Sequence, residues 1–179
     1  RVAIEKGAAA LLEIARRCPD IPFVVAGAVK ETAHAIVARA PGNVTFRGHL
    51  EGAALTQFLA DTRVMLSCSI CFEGFPNAVV QAMAASRPVV AGALGGVPEI
   101  LGEGEAGMLY EPGDLDGAAA HLRTLHGDPE AAAGMGAAGR RRAERLYHPD
   151  RVADRLMETL ARVATRQLSL PSEASEHAV

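Results

Sequence analysis

The stretch Glu73-Gly74-Phe75-Pro76-Asn77-Ala78 joins a carboxylate to a glycine-proline turn and then to an apolar, helix-forming run. Glycine lets a backbone approach a ligand closely. Proline suits a first helical turn, where its missing N–H costs nothing. The free N–H groups at the helix start, with the helix dipole, favour a phosphate oxygen. A carboxylate at Glu73 repels phosphate but accepts hydrogen bonds from sugar hydroxyls a few Å away. The plain alternatives are an ordinary strand-to-helix turn and a helix-terminal acid stabilised by the dipole.

Arg1 and Lys6 lie five positions apart at the entry to the first helix, a spacing that can clamp a diphosphate. Arg matches planar oxyanions with a fork of donors, and Lys acts as a point charge. The alternative is a pair of solvated charges. Lys6 and Lys30 are the only lysines, in a chain that otherwise uses Arg. The three cysteines, Cys18, Cys68 and Cys71, are odd in number and read as reduced, buried or half-buried thiols of a cytoplasmic protein. Cys68-x-x-Cys71 has no second pair or nearby histidines for zinc. The histidines show no ligand spacing, so no metal site is expected.

Elements must position these groups. Helices are expected over residues 6–17, 31–39, 55–61, 75–85, 114–126, 129–145 and 149–166. Strands are expected over 22–27, 43–48, 63–67, 88–91 and 107–110. Asp114 is placed as an N-cap. Short strands alternating with helices predict βαβ units, a parallel sheet with helices on both faces, and ligands at the carboxyl ends of the strands. Residues 1–166 are read as one domain, and residues 167–179, polar and without periodicity, as a disordered tail.

Composition narrows the function. Apolar residues are 49% of the 179, enough for a packed α/β core. A formal charge of −3 and 4% aromatics argue against a nucleic-acid groove. No run is long and apolar enough to span a membrane, and no apolar leader follows Arg1. Arg140-Arg141-Arg142 with Arg145 could touch anionic lipid peripherally or another domain; a solvated helix face is the competing reading.

Taken in order, Arg1-x4-Lys6-Gly7, Glu73-Gly74-Phe75-Pro76-Asn77 through Ala82-Met83-Ala84, Arg87-Pro88-Val89-Val90, Gly95-Gly96-Val97-Pro98-Glu99 and Gly107-x-Leu109 with Glu111-Pro112-Gly113-Asp114 resemble the C-terminal half of a retaining glycosyltransferase of family 4, with the GT-B fold. The resemblance runs from Arg1 to about Arg166. It implies a Rossmann-like domain that binds a nucleotide-diphospho-sugar as donor substrate, without a resident cofactor. Arg1 and Lys6 would bind the diphosphate and stabilise the leaving nucleotide. Glu73 would be the first acid of the family's E-x7-E motif and contact the donor sugar. Gly74 and the backbone of Phe75, Pro76, Asn77 and Ala78 would face the sugar and distal phosphate. The turn at Gly48 and His49 would line the base pocket, and Gly95 and Gly96 would leave room for the donor loop.

The chain departs from the family twice. The second acid of E-x7-E, which holds the ribose hydroxyls, is Gln81 here, and the glycine after Ala-Met-Ala-x is Ser86. The resemblance also implies a separate N-terminal acceptor-binding domain and a central first strand, both ahead of Arg1. This chain alone is then expected not to transfer sugar. Rival readings are a non-catalytic nucleotide-sugar-binding module and another GT-B enzyme such as a nucleotide-sugar epimerase.

Overall fold

A computed structural model describes residues 1–102 and 104–168. Two units separate, Arg1–Glu144 and Arg145–Val179. The first carries the α/β fold. A 3-10 turn at Ile4–Lys6 leads into α1 (Ala8–Arg17), then β1 (Phe23–Val25), α2 (His34–Val37), β2 (Val44–Phe46), α3 (Gly52–Asp61) and β3 (Met65–Ser67). There follow α4 (Asn77–Ala84), β4 (Val89–Gly92), α5 (Val97–Leu101), β5 (Gly107–Tyr110), α6 (Leu115–Gly127) and α7 (Pro129–Leu146). Every strand pairing is parallel, in two groups: β1 with β2, and β3-β4-β5.

The core explains the pattern. All four residues of β4 are buried, as a strand covered on both faces requires. The main cluster joins Ile14, Ala15 and Cys18 of α1 and its end to Leu122 and Leu125 of α6, with Val90 and Tyr110 between. The Asn43 amide donates to the carbonyls of Ala15, Cys18 and Ile21 at 2.9–3.0 Å, tying the end of α1 to the start of β2. Asp114 caps α6 as expected: its Oδ1 accepts from the Gly117 N–H at 2.8 Å.

Several boundaries differ from expectation for local reasons. The first helix is broken at Gly7, whose φ is +74°; a Cβ there would come 1.8 Å from the Cys68 carbonyl oxygen. The helix expected at 31–39 reduces to a 3-10 turn, Glu31–Ala33, and the four residues of α2. α3 starts at Gly52, three residues before the expected Leu55. α4 starts at Asn77 because a residue before proline avoids helical backbone, which leaves Phe75 outside and Pro76 as N-cap. The Gly95–Glu99 stretch, where no helix was expected, contains the start of α5, with Pro98 in its first turn. Ser86 does adopt the left-handed conformation, φ +60°, which costs a non-glycine residue about 1–2 kcal/mol.

The second unit contains α8 (Pro149–Leu168), so residues 167 and 168, expected in the tail, continue a helix. Val152, Leu156, Leu160 and Val163 recur at helical spacing on it and are exposed. Residues 169–179 lie outside the described residues. No helix among the described residues is long and apolar enough to cross a membrane.

Candidate functional site

The 3-10 turn at Ile4–Lys6 docks on the segment after β3: the Ile70 N–H donates to the Glu5 carbonyl at 3.1 Å, and the Ser69 hydroxyl reaches the same oxygen at 3.4 Å. This contact delivers Lys6 to Glu73. Lys6 Nζ lies 2.6 Å from Glu73 Oε2, with the two side chains 27% and 25% exposed. Burial by itself raises the Glu73 carboxyl. Hydrogen bonds from Lys6 and Ser69, and the charges of Lys6 and Arg1, outweigh it and hold the group below its ordinary value. Glu73 is therefore an ionised acceptor at neutral pH.

Arg1 sits beside this pair, its guanidinium 3.4 Å from Glu5 Oε1. Lys30 Nζ lies 3.6 Å from the same oxygen. The Glu5 carboxyl is lowered, chiefly by a hydrogen bond from its own backbone; burial opposes this, and the charges of Lys30 and Arg1 add to the lowering. Three cations and two carboxylates thus gather at one end of the parallel strands.

The second wall is the start of α4. A cleft of about 250 Å³ is lined by Arg1, Lys6, Glu73, Pro76, Asn77 and Ala78, and extends down to β1 and β3. Pro76 O accepts from Val79 N–H at 3.0 Å, so the N–H groups of Asn77 and Ala78 precede the first bond of the helix. Asn77, Ala78 and Gln81 share the exposed face of α4, and Val79, Ala82 and Met83 the buried one. Gln81 stands one turn beyond the cleft lining.

Glu73 and Gly74 are held from behind by the Gly95-Gly96 loop. The Gly96 N–H donates to the Glu73 carbonyl at 2.9 Å. A Cβ on Gly95, where φ is +61°, would come 2.5 Å from that same carbonyl oxygen. The Gly48 carbonyl accepts from the Gly27 N–H at 2.6 Å. His49 is exposed and pairs with Glu51, 3.5 Å away, when protonated. The turn at Gly48 and His49 is thereby fixed to the loop after β1, whose Gly27 abuts Arg1. Phe75 is half exposed and lies outside the cleft lining.

The structure brings Arg1, Lys6, Glu73, Pro76, Asn77 and Ala78 together on the cleft, while Gly74, Phe75, Gln81, Gly48 and His49 lie outside its lining. Sequence reasoning missed Glu5, Lys30 and Ser69. Glu5 next to Lys6 was a visible signal; the approach of Lys30 depends on the path of the loop after β1. The three cysteines are free, and Cys18 and Cys68 are buried. Burial pushes the Cys68 thiol up to about 12, so it stays protonated. Among the described residues no three His, Cys, Asp or Glu side chains converge to hold a metal ion. Two arginines of the run on α7 are engaged. Arg142, 15% exposed, donates to the Ile100 and Glu99 carbonyls and pairs with Glu105, clamping the end of α5, and Arg140 pairs with Glu144.

Comparison with known proteins agrees with this geometry. Residues 3–128 match the family model described as "Glycosyl transferases group 1". The chain is 34% identical over 152 residues to sulfoquinovosyl transferase SQD2 of Arabidopsis thaliana, covering 81% of this chain and 29% of that one. Among solved structures it is similar to Anabaena Alr3699/HepE in complex with UDP, with TM-score 0.80 and 24% identity, over 90% of this chain and 46% of that one. The C-terminal domain of a glycosyl transferase group 1 protein from Francisella tularensis superimposes with TM-score 0.72 at 22% identity, over 83% of both chains. These structural likenesses show the fold, the Rossmann-like α/β fold of GT-B glycosyltransferases. The chain spans 29–46% of the full-length relatives named here. With more than half of its length matched by one family model, the chain belongs to the group 1 glycosyl transferases.

Proposed function

We propose that this chain is the donor-binding half of a retaining hexosyltransferase of the family 4 kind, which holds a nucleotide-diphospho-sugar while the sugar passes to an acceptor. The observation that carries this reading is the meeting of Lys6, Glu73 and the start of α4 on one cleft, beside Arg1, in a chain of this family. Crystal structures of the similar HepE with UDP and with UDP-glucose support it.

Each residue then has a task. Lys6 exchanges Glu73 for the distal phosphate, and Arg1 exchanges Glu5 for the diphosphate. Glu73, released, accepts hydrogen bonds from the donor sugar. Gly74 lets the backbone of residues 75–78 approach the sugar, and the N–H groups of Asn77 and Ala78 face the phosphate. Gln81 holds the ribose hydroxyls with a neutral amide, and the turn at Gly48 and His49 borders the base. As the bond from the sugar to the diphosphate breaks, negative charge grows on the leaving oxygen. Cations and dipoles fixed there beforehand lower that barrier. The acceptor oxygen bonds on the face the nucleotide leaves, and its proton departs with the diphosphate.

The donor is a substrate, and no resident cofactor or metal takes part in this reading. The acceptor is held by an N-terminal domain, for which the greater length of the relatives leaves room, so this chain alone does not transfer sugar. Three free thiols support a cytoplasmic setting, with membrane contact at most peripheral. The test is calorimetric titration of UDP-, GDP- and ADP-sugars into the complete protein, with Lys6→Ala as control. Saturable binding to one donor class that Lys6→Ala weakens is the expected result; no binding to any of them refutes the reading.

A further inference from the structure

Lys30 is one of only two lysines in the chain and, unlike Lys6, does not line the cleft. Backbone contacts fix its place. Val2 and Val29 form a parallel bridge, with Val2 N–H donating to Ala28 O at 2.8 Å and Lys30 N–H to Val2 O at 2.9 Å. The loop after β1 is thereby laced to residues 1–3, and a Cβ on Gly27 would come 2.7 Å from the Arg1 backbone nitrogen. Glu5 is anchored separately, because its carbonyl accepts from the Ile70 N–H at 3.1 Å. These anchors bring one carboxylate oxygen within reach of two cations: Glu5 Oε1 lies 3.4 Å from the Arg1 guanidinium and 3.6 Å from Lys30 Nζ. Arg1 lines the cleft, whereas Glu5 and Lys30 lie outside its lining.

Charge decides what this triad does. A nucleotide-diphospho-sugar carries one negative charge on each phosphate, and Arg1 and Lys6 together match them. When Arg1 turns from Glu5 to the diphosphate, it leaves a carboxylate behind. An unpaired anion beside an anionic ligand repels it. Lys30 removes that repulsion by keeping Glu5 paired after Arg1 has left. It also eases the exchange, since a carboxylate oxygen divided between two cations holds neither as firmly as it would hold one. The exchange is open to these groups, because each of the three side chains is at least 39% exposed. Exposed pairs of this kind are weak, so Lys30 changes affinity by a few-fold rather than deciding whether the ligand binds.

We propose that Lys30 is a positioning residue of the donor site, which holds the Glu5 carboxylate so that Arg1 is free to pass to the diphosphate. This rests on the donor-binding function proposed above. The test is a double-mutant cycle in the complete protein, read by calorimetric titration of UDP, GDP and ADP and followed with the tightest of the three. The proteins are the unsubstituted chain, Lys30→Met, Lys30→Arg, Glu5→Gln and Lys30→Met combined with Glu5→Gln, with Lys6→Ala as control. Lys30→Met is expected to weaken binding about two- to fivefold, and Lys30→Arg, which keeps the charge, to restore most of it. On the Glu5→Gln background, Lys30→Met should change Kd by less than about 1.5-fold, because no carboxylate is left for Lys30 to hold. A purely structural role would shift the denaturant midpoint and leave this coupling absent. If Lys6→Ala weakens binding and Lys30→Met does not, the proposal fails and the donor function stands. The same holds if Lys30→Met weakens binding equally with and without Glu5, which marks a direct contact or a general field, or if Lys30→Arg binds as weakly as Lys30→Met. No binding of any of the three nucleotides, or no effect of Lys6→Ala, refutes the donor function and this proposal with it.

Discussion

The Lys6–Glu73 pair separates a structural role from a ligand-binding one, because a cycle of variants drives the two in opposite directions. In the complete protein, Lys6→Met keeps the aliphatic stem and removes the cation. The pair is only about three-quarters buried, 27% and 25% exposed, so solvent screens it. Exposed pairs contribute about 0–1 kcal/mol, and an added cost of leaving Glu73 unpaired is limited by its second donor, Ser69. Lys6→Met is therefore expected to lose about 1 kcal/mol of stability. Binding should suffer more: a charge-assisted hydrogen bond to a phosphate is worth about 1.5–3 kcal/mol, or a roughly 10- to 150-fold weaker Kd. Glu73→Gln added to Lys6→Met removes the stranded carboxylate. The double variant should regain most of the lost stability while diphosphate affinity stays low. Denaturant unfolding reads the first quantity, and calorimetry with a nucleoside diphosphate reads the second. If Lys6→Met leaves affinity within twofold, or the double variant restores it with the stability, the cation serves the fold and not the ligand.

Gln81→Glu places a carboxylate one turn beyond the cleft, and should tighten nucleotide binding about tenfold, the difference between a neutral and a charged hydrogen bond; calorimetry showing no change removes Gln81 from the ribose. Ser86→Gly relieves a left-handed backbone and should stabilise the protein by about 1 kcal/mol, measured as a shift in denaturant midpoint. The Glu73 carboxyl is held below its ordinary value of 4.5 in the fold, so its contribution is fully present above that pH and fades as pH falls through the lower folded value. Thermal melting from pH 6 to pH 3 should therefore show a loss that Glu73→Gln reduces; identical profiles for both proteins would refute it.

The order of elements was legible because period-2 and period-3.6 patterns and turn residues point the same way along most of the chain. β5 was expected at 107–110 and is found at Gly107–Tyr110. Asp114 was readable as a cap because its role depends only on the next three residues. The misses depend on distant partners. Gly7 looks like a tolerated glycine in a helix until the Cys68 carbonyl is seen pressed against it. Arg142 looks like part of a solvated run until it is found on the carbonyls of α5, some forty residues away. The candidate site divides in the same way. Glu73 to Ala78 form one local turn and could be read directly, whereas the grouping of Glu5 and Lys30 around Arg1 arises from how a loop after β1 meets the first residues of the chain.

The central claim is that the cleft at Lys6, Glu73 and the start of α4 holds the diphosphate of a sugar donor. Its most direct measurement is saturation transfer and chemical-shift mapping of the complete protein with UDP-, GDP- and ADP-sugars. The account predicts that one donor class perturbs the amides of Asn77 and Ala78 together with the Lys6 ammonium and Arg1. Perturbations confined to other parts of the molecule, with those groups unmoved at saturation, would contradict it.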